Sequence, residues 1–323
     1  MPKVSVILPV YNCEQYILES VQSVLNQSFF DFELLIIDDC STDNTLAIIN
    51  EFKDSRIKLI LKEKNTGYTD SLNYAISIAK GQYIARMDGD DICLPNRFEK
   101  QVAFLDENPK IILCGTAIQI IGTSTILRHP TIYEDIKIKL CFGNSFYHPS
   151  VMGRIEVFQA NPYDKTYEPA EDYDLWTRLA FQGELANLEE VLLWYRVHEN
   201  QVSTAKSEYQ TTVGYASQYR MFKPLNLNYD ESIYKIMHRT FKLQEQYITL
   251  DFENSLLFLD ALLKANYELQ VYDKTLFYHK IQSIKLNFLR VYFKRGDVNV
   301  FKMFMYLRYI SFKEISKLIF KKK

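Results

Sequence analysis

Glycine is scarce in this sequence: the 323 residues include ten glycines, and none of them precedes Gly67. A dinucleotide-dependent oxidoreductase would carry G-x-G-x-x-G directly after its first strand, and a P-loop nucleotide triphosphatase would carry G-x-x-x-x-G-K-[ST]. Neither pattern occurs in the sequence. Both classes of protein are therefore disfavoured.

Cysteine pairs and long apolar runs are also missing. The five cysteines include no C-x-x-C pair, which fits neither a disulfide framework nor a zinc site and indicates a reducing, cytoplasmic location. No apolar stretch reaches the length of about 18 residues that a transmembrane helix requires. The first apolar run, Val4–Val10, is interrupted by Ser5 and Pro9, so it predicts a β-strand rather than a secretory signal.

Charge is balanced on average but unevenly distributed. The formal net charge is −2, yet residues 1–273 carry 25 basic and 38 acidic side chains, whereas residues 274–323 carry 13 and 2. The acidic body would repel nucleic acid, and no nucleic-acid-binding motif occurs, so no nucleic acid partner is expected. The basic tail is typical of a segment that contacts an anionic membrane surface.

Apolar strand-like runs alternate with helical periodicity over the first 115 residues. The strand-like runs are Val4–Leu8, Leu34–Ile37, Ile57–Leu61, Gln82–Met87 and one that begins at Ile111–Cys114. This alternation predicts an α/β fold with a mostly parallel central sheet flanked by helices. Further along the chain, strand signals at Ile118–Ile121 and Val191–Val197 flank a helical stretch near Asp172–Phe181, and helical periodicity dominates beyond residue 205.

Acidic residues directly follow two of the predicted strands, where ligands bind in parallel sheets. Asp38-Asp39, taken alone, is typical of a turn and helix cap. Asp88-Gly89-Asp90-Asp91 places three carboxylates within four residues, and these repel one another unless a cation lies between them. Carboxylate oxygens suit Mg²⁺ or Mn²⁺, so the cluster predicts a divalent cation site, with a solvated acidic turn as the alternative.

Four segments, in this order and spacing, resemble the family 2 glycosyltransferases, which are inverting enzymes with the GT-A fold. They are Pro9-Val10-Tyr11-Asn12, IIDDCSTDNT after the second strand, DGDDICLPNR after the fourth strand, and EDYDLW at Glu171–Trp176. The resemblance covers roughly residues 1–200. It implies metal-dependent transfer of a sugar from a nucleotide-sugar donor to an acceptor hydroxyl.

The resemblance also implies roles for individual residues at the donor site. Tyr11 would lie against the nucleotide base and Asp39 would accept a hydrogen bond from it; uridine diphosphate is the commonest carrier in the family, although thymidine would suit Asp39 as well. The implied donor-binding residues are Pro9, Val10, Tyr11, Glu14, Asp39, Asn65, Gly67, Asp88, Gly89 and Arg97, and the implied ligands of Mn²⁺ or Mg²⁺ are Asp90, Asp88 and His198. Asp91 either ligates the cation or caps the loop, and Arg97 either contacts phosphate or makes a simple salt bridge.

Asp172 matches the catalytic base of the family. An acceptor hydroxyl must lose its proton as it attacks the anomeric carbon, and a nearby carboxylate can take that proton. Glu171 is the alternative base, or it orients Asp172 or the acceptor; Asp172 could also merely cap its helix. His148 and Trp176 are expected on the acceptor side.

The expected domains are a GT-A catalytic domain over residues 1–204 and a helical C-terminal region over residues 205–323. The catalytic domain would comprise a nucleotide-binding half, about 1–115, and an acceptor half, about 116–204. From residue 298 the chain reads as a basic amphipathic helix, which suits peripheral contact with the cytoplasmic face of a membrane and a lipid-linked glycan acceptor. Packing of that helix on the catalytic domain and homodimerisation are equally open.

Two other functions remain as alternatives. A sugar nucleotidyltransferase would also use Mg²⁺ and acidic residues, but it normally carries a glycine-rich basic loop near its N-terminus, and this chain has none. A catalytically inactive GT-A subunit that scaffolds a glycan-synthesis complex would have no need of Asp39, Asp88, Asp90 and Asp172.

Overall fold

The computed structural model describes residues 1–198, 201, 207–228, 230, 232–233, 235–236, 248–293 and 306. The predicted basic amphipathic helix from residue 298 lies outside the described residues, apart from Tyr306.

Strands and helices alternate along the first two thirds of the chain. The strands are β1 (Val4–Val10), β2 (Phe32–Asp38), β3 (Ile57–Leu61), β4 (Tyr83–Arg86), β5 (Ile92–Cys93), β6 (Ile111–Ile120), β7 (Ile126–Leu127), β8 (Met152–Arg154) and β9 (Glu184–Tyr195). The helices are α1 (Ile17–Leu25), α2 (Thr45–Glu51), α3 (Tyr68–Ile78), α4 (Arg97–Glu107), α5 (Tyr133–Leu140), α6 (Ile155–Ala160), α7 (Glu171–Leu179), α8 (Ser207–Phe222), α9 (Ile248–Leu269) and α10 (Lys274–Phe293).

The described strands form one sheet in the order β3-β2-β1-β4-β8-β6-β9-β5, with β7 paired to β6. Strand β1 is parallel to β2 and to β4, and β2 is parallel to β3. Every residue of β2 is buried, as expected for a central strand covered by helices on both faces. Because these strands are parallel, the carboxyl ends of β1, β2 and β4 lie along the same edge of the sheet.

The other half of the sheet is mixed. Strands β6 and β9 are parallel, but β8 runs antiparallel to both β4 and β6, and β5 runs antiparallel to β9. The α/β fold predicted from the sequence is confirmed, while the predicted parallel pairing holds only for β3-β2-β1-β4 and β6–β9. The two strand signals at Ile111–Cys114 and Ile118–Ile121 belong to a single strand, β6, which continues through Gly115.

Helix α1 shows how apolar spacing produces the core. Ile17, Val21 and Val24 recur at helical spacing and are fully buried against the sheet, in one cluster with Val6 and Leu8 of β1. Burying each such side chain stabilises the fold by about 1.5–3 kcal/mol. The sheet and α1 thus provide a rigid base for the loops that follow the strands.

The chain divides into two compact units, one of residues 1–139 and 143–214 and the other of residues 140–142 and 215–323. The first unit contains the sheet. In the second unit, the side-chain amide of Asn266 donates to the carbonyl of Tyr272 and accepts from its N–H, which closes the turn between α9 and α10. No helix among the described residues is both long enough and apolar enough to cross a membrane.

Candidate active site

A cleft of about 1050 Å³ lies at the carboxyl ends of β1, β2 and β4, within the first unit. It is lined by most of the residues that the sequence indicated, namely Pro9, Val10, Tyr11, Glu14, Asp39, Asn65, Gly67, Asp88, Gly89, Asp90, His148, Glu171, Asp172 and His198. The fold therefore brings the expected donor, metal and acceptor residues to one cavity.

Asp39, directly after β2, organises the loop that follows β3. Its carboxylate accepts hydrogen bonds from the backbone N–H groups of Thr66 (3.0 Å) and Gly67 (2.8 Å), and Lys62 Nζ lies 2.6 Å from Oδ1. Gly67 has a φ of 95°, a left-handed conformation that favours glycine, where it begins α3. Asp39 thus holds the loop between β3 and α3 in place, and its neighbour Asp38 is buried in the sheet instead of lining the cleft.

The acidic loop, residues 88–91, follows β4. Asp88, Asp90 and Asp91 each place one carboxylate oxygen within 4.8 Å of the others. Gly89 packs closely against β1 and the loop after it, because an added Cβ would lie 3.2 Å from Cys13 Sγ and 3.4 Å from a methyl carbon of Val10. Because Gly89 has no side chain, the acidic loop can pack closely against β1 and the loop that follows it.

Residues that follow β9 hold the acidic loop in place through hydrogen bonds. The backbone N–H of Arg196 donates to Asp91 Oδ1 (2.9 Å), and the guanidinium of Arg196 donates to the Asp90 carbonyl (2.7 Å) and to Glu19 (2.7 Å). Nε2 of His198 lies 2.9 Å from Oδ2 of Asp90. The pairing of β5 with β9 brings these partners together although they are far apart in sequence.

The electrostatics of the acidic loop favour a bound cation. Burial, partly offset by Arg86 and reinforced by Asp90 and Asp172, raises the pKa of Asp88 to about 6. Burial, reinforced by Asp88 and Asp90, raises the pKa of Asp91 well above its usual value, and Oδ2 of Asp91 is buried without a hydrogen-bond partner. These carboxylate oxygens, with the imidazole nitrogen of His198, are a donor set that fits Mn²⁺ or Mg²⁺.

Glu171 and Asp172 begin α7 on the opposite wall of the cleft. Oε2 of Glu171 accepts a hydrogen bond from the hydroxyl of Tyr68 (2.5 Å). Asp172 accepts from the side-chain amide of Asn144 at Oδ2 (2.7 Å) and from the N–H of Tyr173 at Oδ1 (2.6 Å). Burial and the neighbouring Asp172 raise the pKa of Glu171 to about 8, against the opposing effect of the Tyr68 hydrogen bond, and burial also raises the pKa of Asp172.

His148 lies close to Glu171. Its Nδ1 is 3.8 Å from the carboxylate of Glu171, and its Nε2 is 2.8 Å from the hydroxyl of Tyr163. Burial, together with the charge of Arg86, lowers the pKa of His148 well below its usual value, so the ring is neutral. A neutral imidazole can accept or donate a hydrogen bond on this side of the cleft, but it adds no positive charge.

Arg97 and Trp176 do not line the cleft. The fully buried guanidinium of Arg97 donates to the carbonyl oxygens of Arg86 (2.8 Å) and Val151 (3.2 Å). It therefore stabilises the end of β4 from within the core. This structural role replaces both the predicted phosphate contact and the predicted surface salt bridge. Trp176 is fully buried, and its ring packs against two cleft residues, His148 at 5.9 Å and Phe146 at 5.4 Å between centroids, so it can affect an acceptor only indirectly.

Sequence reasoning missed several cleft residues, among them Arg86, Tyr68 and Asn144. Arg86 ion-pairs with Asp88 and is the single Lys or Arg in the described lining of the cleft. Its position at the end of β4, two residues before the acidic loop, is a signal that could have indicated it. Tyr68 and Asn144 reach the cleft through long-range packing, and nothing in their local sequence distinguishes them.

Comparison with known proteins gives consistent matches. The family model described as glycosyl transferase family 2 matches residues 5–173. The chain is 37% identical over 225 residues to an uncharacterized glycosyltransferase of Haemophilus influenzae, which covers 65% of this chain and 70% of that protein. It is 35% identical over 213 residues to the Escherichia coli UDP-Glc:alpha-D-GlcNAc-diphosphoundecaprenol beta-1,3-glucosyltransferase WfaP, covering 64% of this chain and 82% of that protein.

A solved structure shares the fold. The mannosyltransferase PcManGT from Pyrobaculum calidifontis, in complex with GDP-Man and Mn²⁺, matches with a TM-score of 0.57 at 16% identity, covering 100% of this chain and 88% of that chain. Likeness at this level of identity concerns the fold alone.

Proposed function

The chain belongs to glycosyl transferase family 2, and from this premise we propose that it transfers a sugar from a UDP-sugar to an acceptor hydroxyl, with inversion at the anomeric carbon. One observation carries the proposal. The residues needed for the nucleotide (Asp39), for a cation (Asp88 and Asp90) and for the proton (Asp172) all line one cleft.

The nucleotide would bind where Tyr11 and Asp39 line the cleft. Tyr11 is 49% exposed, so its ring is free to lie against a base. Oδ1 of Asp39 already contacts Thr66 N–H and Lys62, but Oδ2 accepts only from Gly67 N–H among the described residues and has a second acceptor direction for an imino hydrogen. The name of the Escherichia coli relative, which specifies UDP-Glc, supports uridine as the base.

Asp88, Asp90, Asp91 and His198 would hold a divalent cation, Mn²⁺ or Mg²⁺. Support comes from the 4.8 Å cluster of carboxylate oxygens and from the buried, unpartnered Oδ2 of Asp91. When bound, the cation would offset the negative charge of the donor diphosphate and of the departing UDP. The complex of PcManGT with Mn²⁺ is consistent with this assignment.

Asp172 would accept the proton of the acceptor hydroxyl. As the O–H bond breaks, the hydroxyl oxygen bonds to the anomeric carbon, and the bond from that carbon to the diphosphate oxygen breaks with its electrons leaving on UDP. Attack from the face opposite the diphosphate inverts the configuration. The raised pKa of Asp172 strengthens it as a base relative to an exposed aspartate.

The acceptor would bind in the part of the cleft lined by His148 and Asp172, and we propose a lipid-linked glycan of cell-surface polysaccharide biosynthesis. The support is the name of the Escherichia coli relative, whose acceptor is a sugar on diphosphoundecaprenol. Peripheral membrane contact through the basic residues of 274–323 would bring the cleft to such an acceptor.

The test is release of UDP from UDP-glucose with MnCl₂, water serving as acceptor, for the unaltered chain, Asp172→Asn and the control Glu190→Gln. Glu190 is an exposed residue paired with Lys100, away from the cleft. Because general-base catalysis contributes about 10²–10⁴-fold, Asp172→Asn should lose at least about 100-fold in kcat and retain UDP binding. Glu190→Gln should behave as the unaltered chain.

The other outcomes identify the alternatives. Pyrophosphate released from UTP and glucose 1-phosphate would indicate a sugar nucleotidyltransferase. UDP binding without turnover of any nucleotide sugar would indicate an inactive scaffold. Either result would overturn the proposed transfer.

A further inference from the structure

We propose that Asn144 is a positioning residue of this site, which holds Asp172 in the orientation that takes the acceptor's proton. The inference rests on the proposed function and concerns how the chain distinguishes between two adjacent carboxyl groups. Glu171 and Asp172 are neighbours on α7, and both line the cleft.

The side chain of Asn144 can present only its N–H groups to Asp172. Its Oδ1 accepts a hydrogen bond from the N–H of Phe146 (3.1 Å), which fixes which end of the amide points toward α7. Its Nδ2 then donates to Oδ2 of Asp172 (2.7 Å). With the N–H of Tyr173 on Oδ1, each oxygen of Asp172 has a fixed donor from another residue.

Glu171 lacks this arrangement. Among the described residues, the hydroxyl of Tyr68 is the one side-chain donor to Glu171, whose own backbone N–H also favours its charged form; His148 Nδ1, at 3.8 Å, is beyond hydrogen-bond distance. The two N–H donors stabilise the charged form of Asp172, whereas the phenol hydroxyl of Tyr68 stabilises the charged form of Glu171 less. The pair therefore carries its negative charge on Asp172, the group that Asn144 contacts.

The segment carrying Asn144 is itself held by the sheet. Nδ2 of Asn187, on β9, donates to the carbonyl of Ser145 (3.1 Å) and of Pro130 (2.8 Å). Gly115 on β6 leaves room for this, because a Cβ there would lie 2.3 Å from Asn187 Oδ1 and 2.9 Å from the ring of Phe146. Two central strands thus set the position of the amide, which supports a preorganised role.

Other ionisable groups also act on Asp172. Arg86 from β4 lowers its pKa, while the charge of Asp172 in turn raises the pKa of Asp88, Tyr68 and Tyr163 from their own elements. None of these groups supplies a second side-chain hydrogen bond to Asp172 among the contacts of the described residues.

The test compares Asn144→Ala with Asn161→Ala as the matched control. Asn161, outside the cleft, also uses both ends of its amide: it donates to the carbonyl of Val157 and to the amide oxygen of Gln182, and it accepts from the amide nitrogen of Gln182. UDP release from UDP-glucose with MnCl₂ is measured from pH 5 to 9, and thermal shift with UDP and MnCl₂ checks the donor site. Asn144→Ala should lower kcat about tenfold to hundredfold, the size expected for a hydrogen bond to a charged group, with the donor KM unchanged.

The pH profile separates positioning from a structural role. Because the amide favours ionised Asp172, its removal should raise the pKa of Asp172 and move the acidic limb of the kcat profile to higher pH, so activity falls most at low pH. Asn144→Asp, which has the same shape but cannot donate when ionised, should lose at least as much kcat above neutral pH. Asn161→Ala should keep both the rate and the profile of the unaltered chain.

A loss that is equal at every pH, or a kcat within twofold of the unaltered chain, would refute the role of Asn144. If the unaltered chain binds UDP but releases none from UDP-glucose, UDP-glucose is not the donor. The same variants are then compared on the nucleotide sugar that gives the largest thermal shift, so the inference is decided separately from the donor.

Discussion

Asp90→Asn should stabilise the chain in the absence of divalent cations while removing its response to them. Asp90 lies in the cluster whose carboxylate oxygens are within 4.8 Å of one another. At an effective dielectric constant of about 20, two unit charges at that distance repel by about 3.5 kcal/mol. Arg86 offsets part of this repulsion and the acidic loop is partly exposed, so a gain of about 1 kcal/mol is expected.

The pH dependence has a definite sign. The pKa of Asp88 is raised to about 6, so its ionisation costs the folded state stability as the pH rises from about 4 through about 6. Removing the charge of Asp90 weakens this cost, because Asp90 is one of the causes of the raised pKa of Asp88. The gain of Asp90→Asn should therefore be present at pH 7.5 and nearly absent at pH 4.5.

Thermal unfolding at both pH values, with EDTA and with MnCl₂, measures the effect. A gain of about 1 kcal/mol corresponds to a rise in Tm of about 2–4 °C for a unit of this size. Mn²⁺ at about 100 times its Kd should add about 2.7 kcal/mol to the unaltered chain and far less to Asp90→Asn. Glu190→Gln, an exposed change outside the cleft, should alter neither the Tm in EDTA nor the stabilisation by Mn²⁺.

The opposite pattern would refute the cation site. If Asp90→Asn lowered Tm in EDTA and still gained stability from Mn²⁺, the three carboxylates would be a solvated or structurally paired turn. The proposed mechanism would then lose its support at the diphosphate.

Two further predictions concern the loop and the tail. Arg196→Ala removes the hydrogen bonds to the Asp90 carbonyl and to Glu19, so it should weaken Mn²⁺-dependent UDP binding about tenfold, measured by calorimetry. The control Lys100→Ala, which loses a surface ion pair, should bind UDP as the unaltered chain does. Equal effects of the two variants would show that Arg196 does not specifically hold the acidic loop. Deleting residues 298–323 should release the chain from vesicles that contain anionic lipid, measured by co-sedimentation, because it removes a dense group of basic side chains, and unchanged binding would exclude the tail as the membrane contact.

The first half of the sheet could be predicted from the sequence because its signals are local. Runs such as Leu34–Ile37 are apolar and β-branched, and buried parallel strands need that composition whatever their neighbours are. Parallel pairing then requires Asp39 and Asp88 to share an edge of the sheet, and the structure has them there. Strand β8 could not be foreseen, because three residues between two longer strands carry no periodicity of their own.

The roles of individual side chains were harder to foresee than their positions. Arg97 follows an acidic loop in the sequence, which favours a salt bridge, yet helix α4 turns it into the core, where carbonyl oxygens bind its guanidinium. Asn144 and Tyr68 are unremarkable in sequence, and they reach the two carboxyl groups of α7 only because of how α3 and the segment after α5 pack.

The amino-acid sequence by itself determined that this chain forms an α/β fold with acidic residues at the strand ends, because strand composition and turn chemistry act over a few residues. Tertiary structure alone decided which groups surround those acids. The pairing of β5 with β9 brings Arg196 and His198 to the acidic loop across more than a hundred residues, and the packing of Asn144 gives Asp172 a donor that Glu171 lacks. Such contacts depend on the whole sheet being assembled, so no local pattern can encode them.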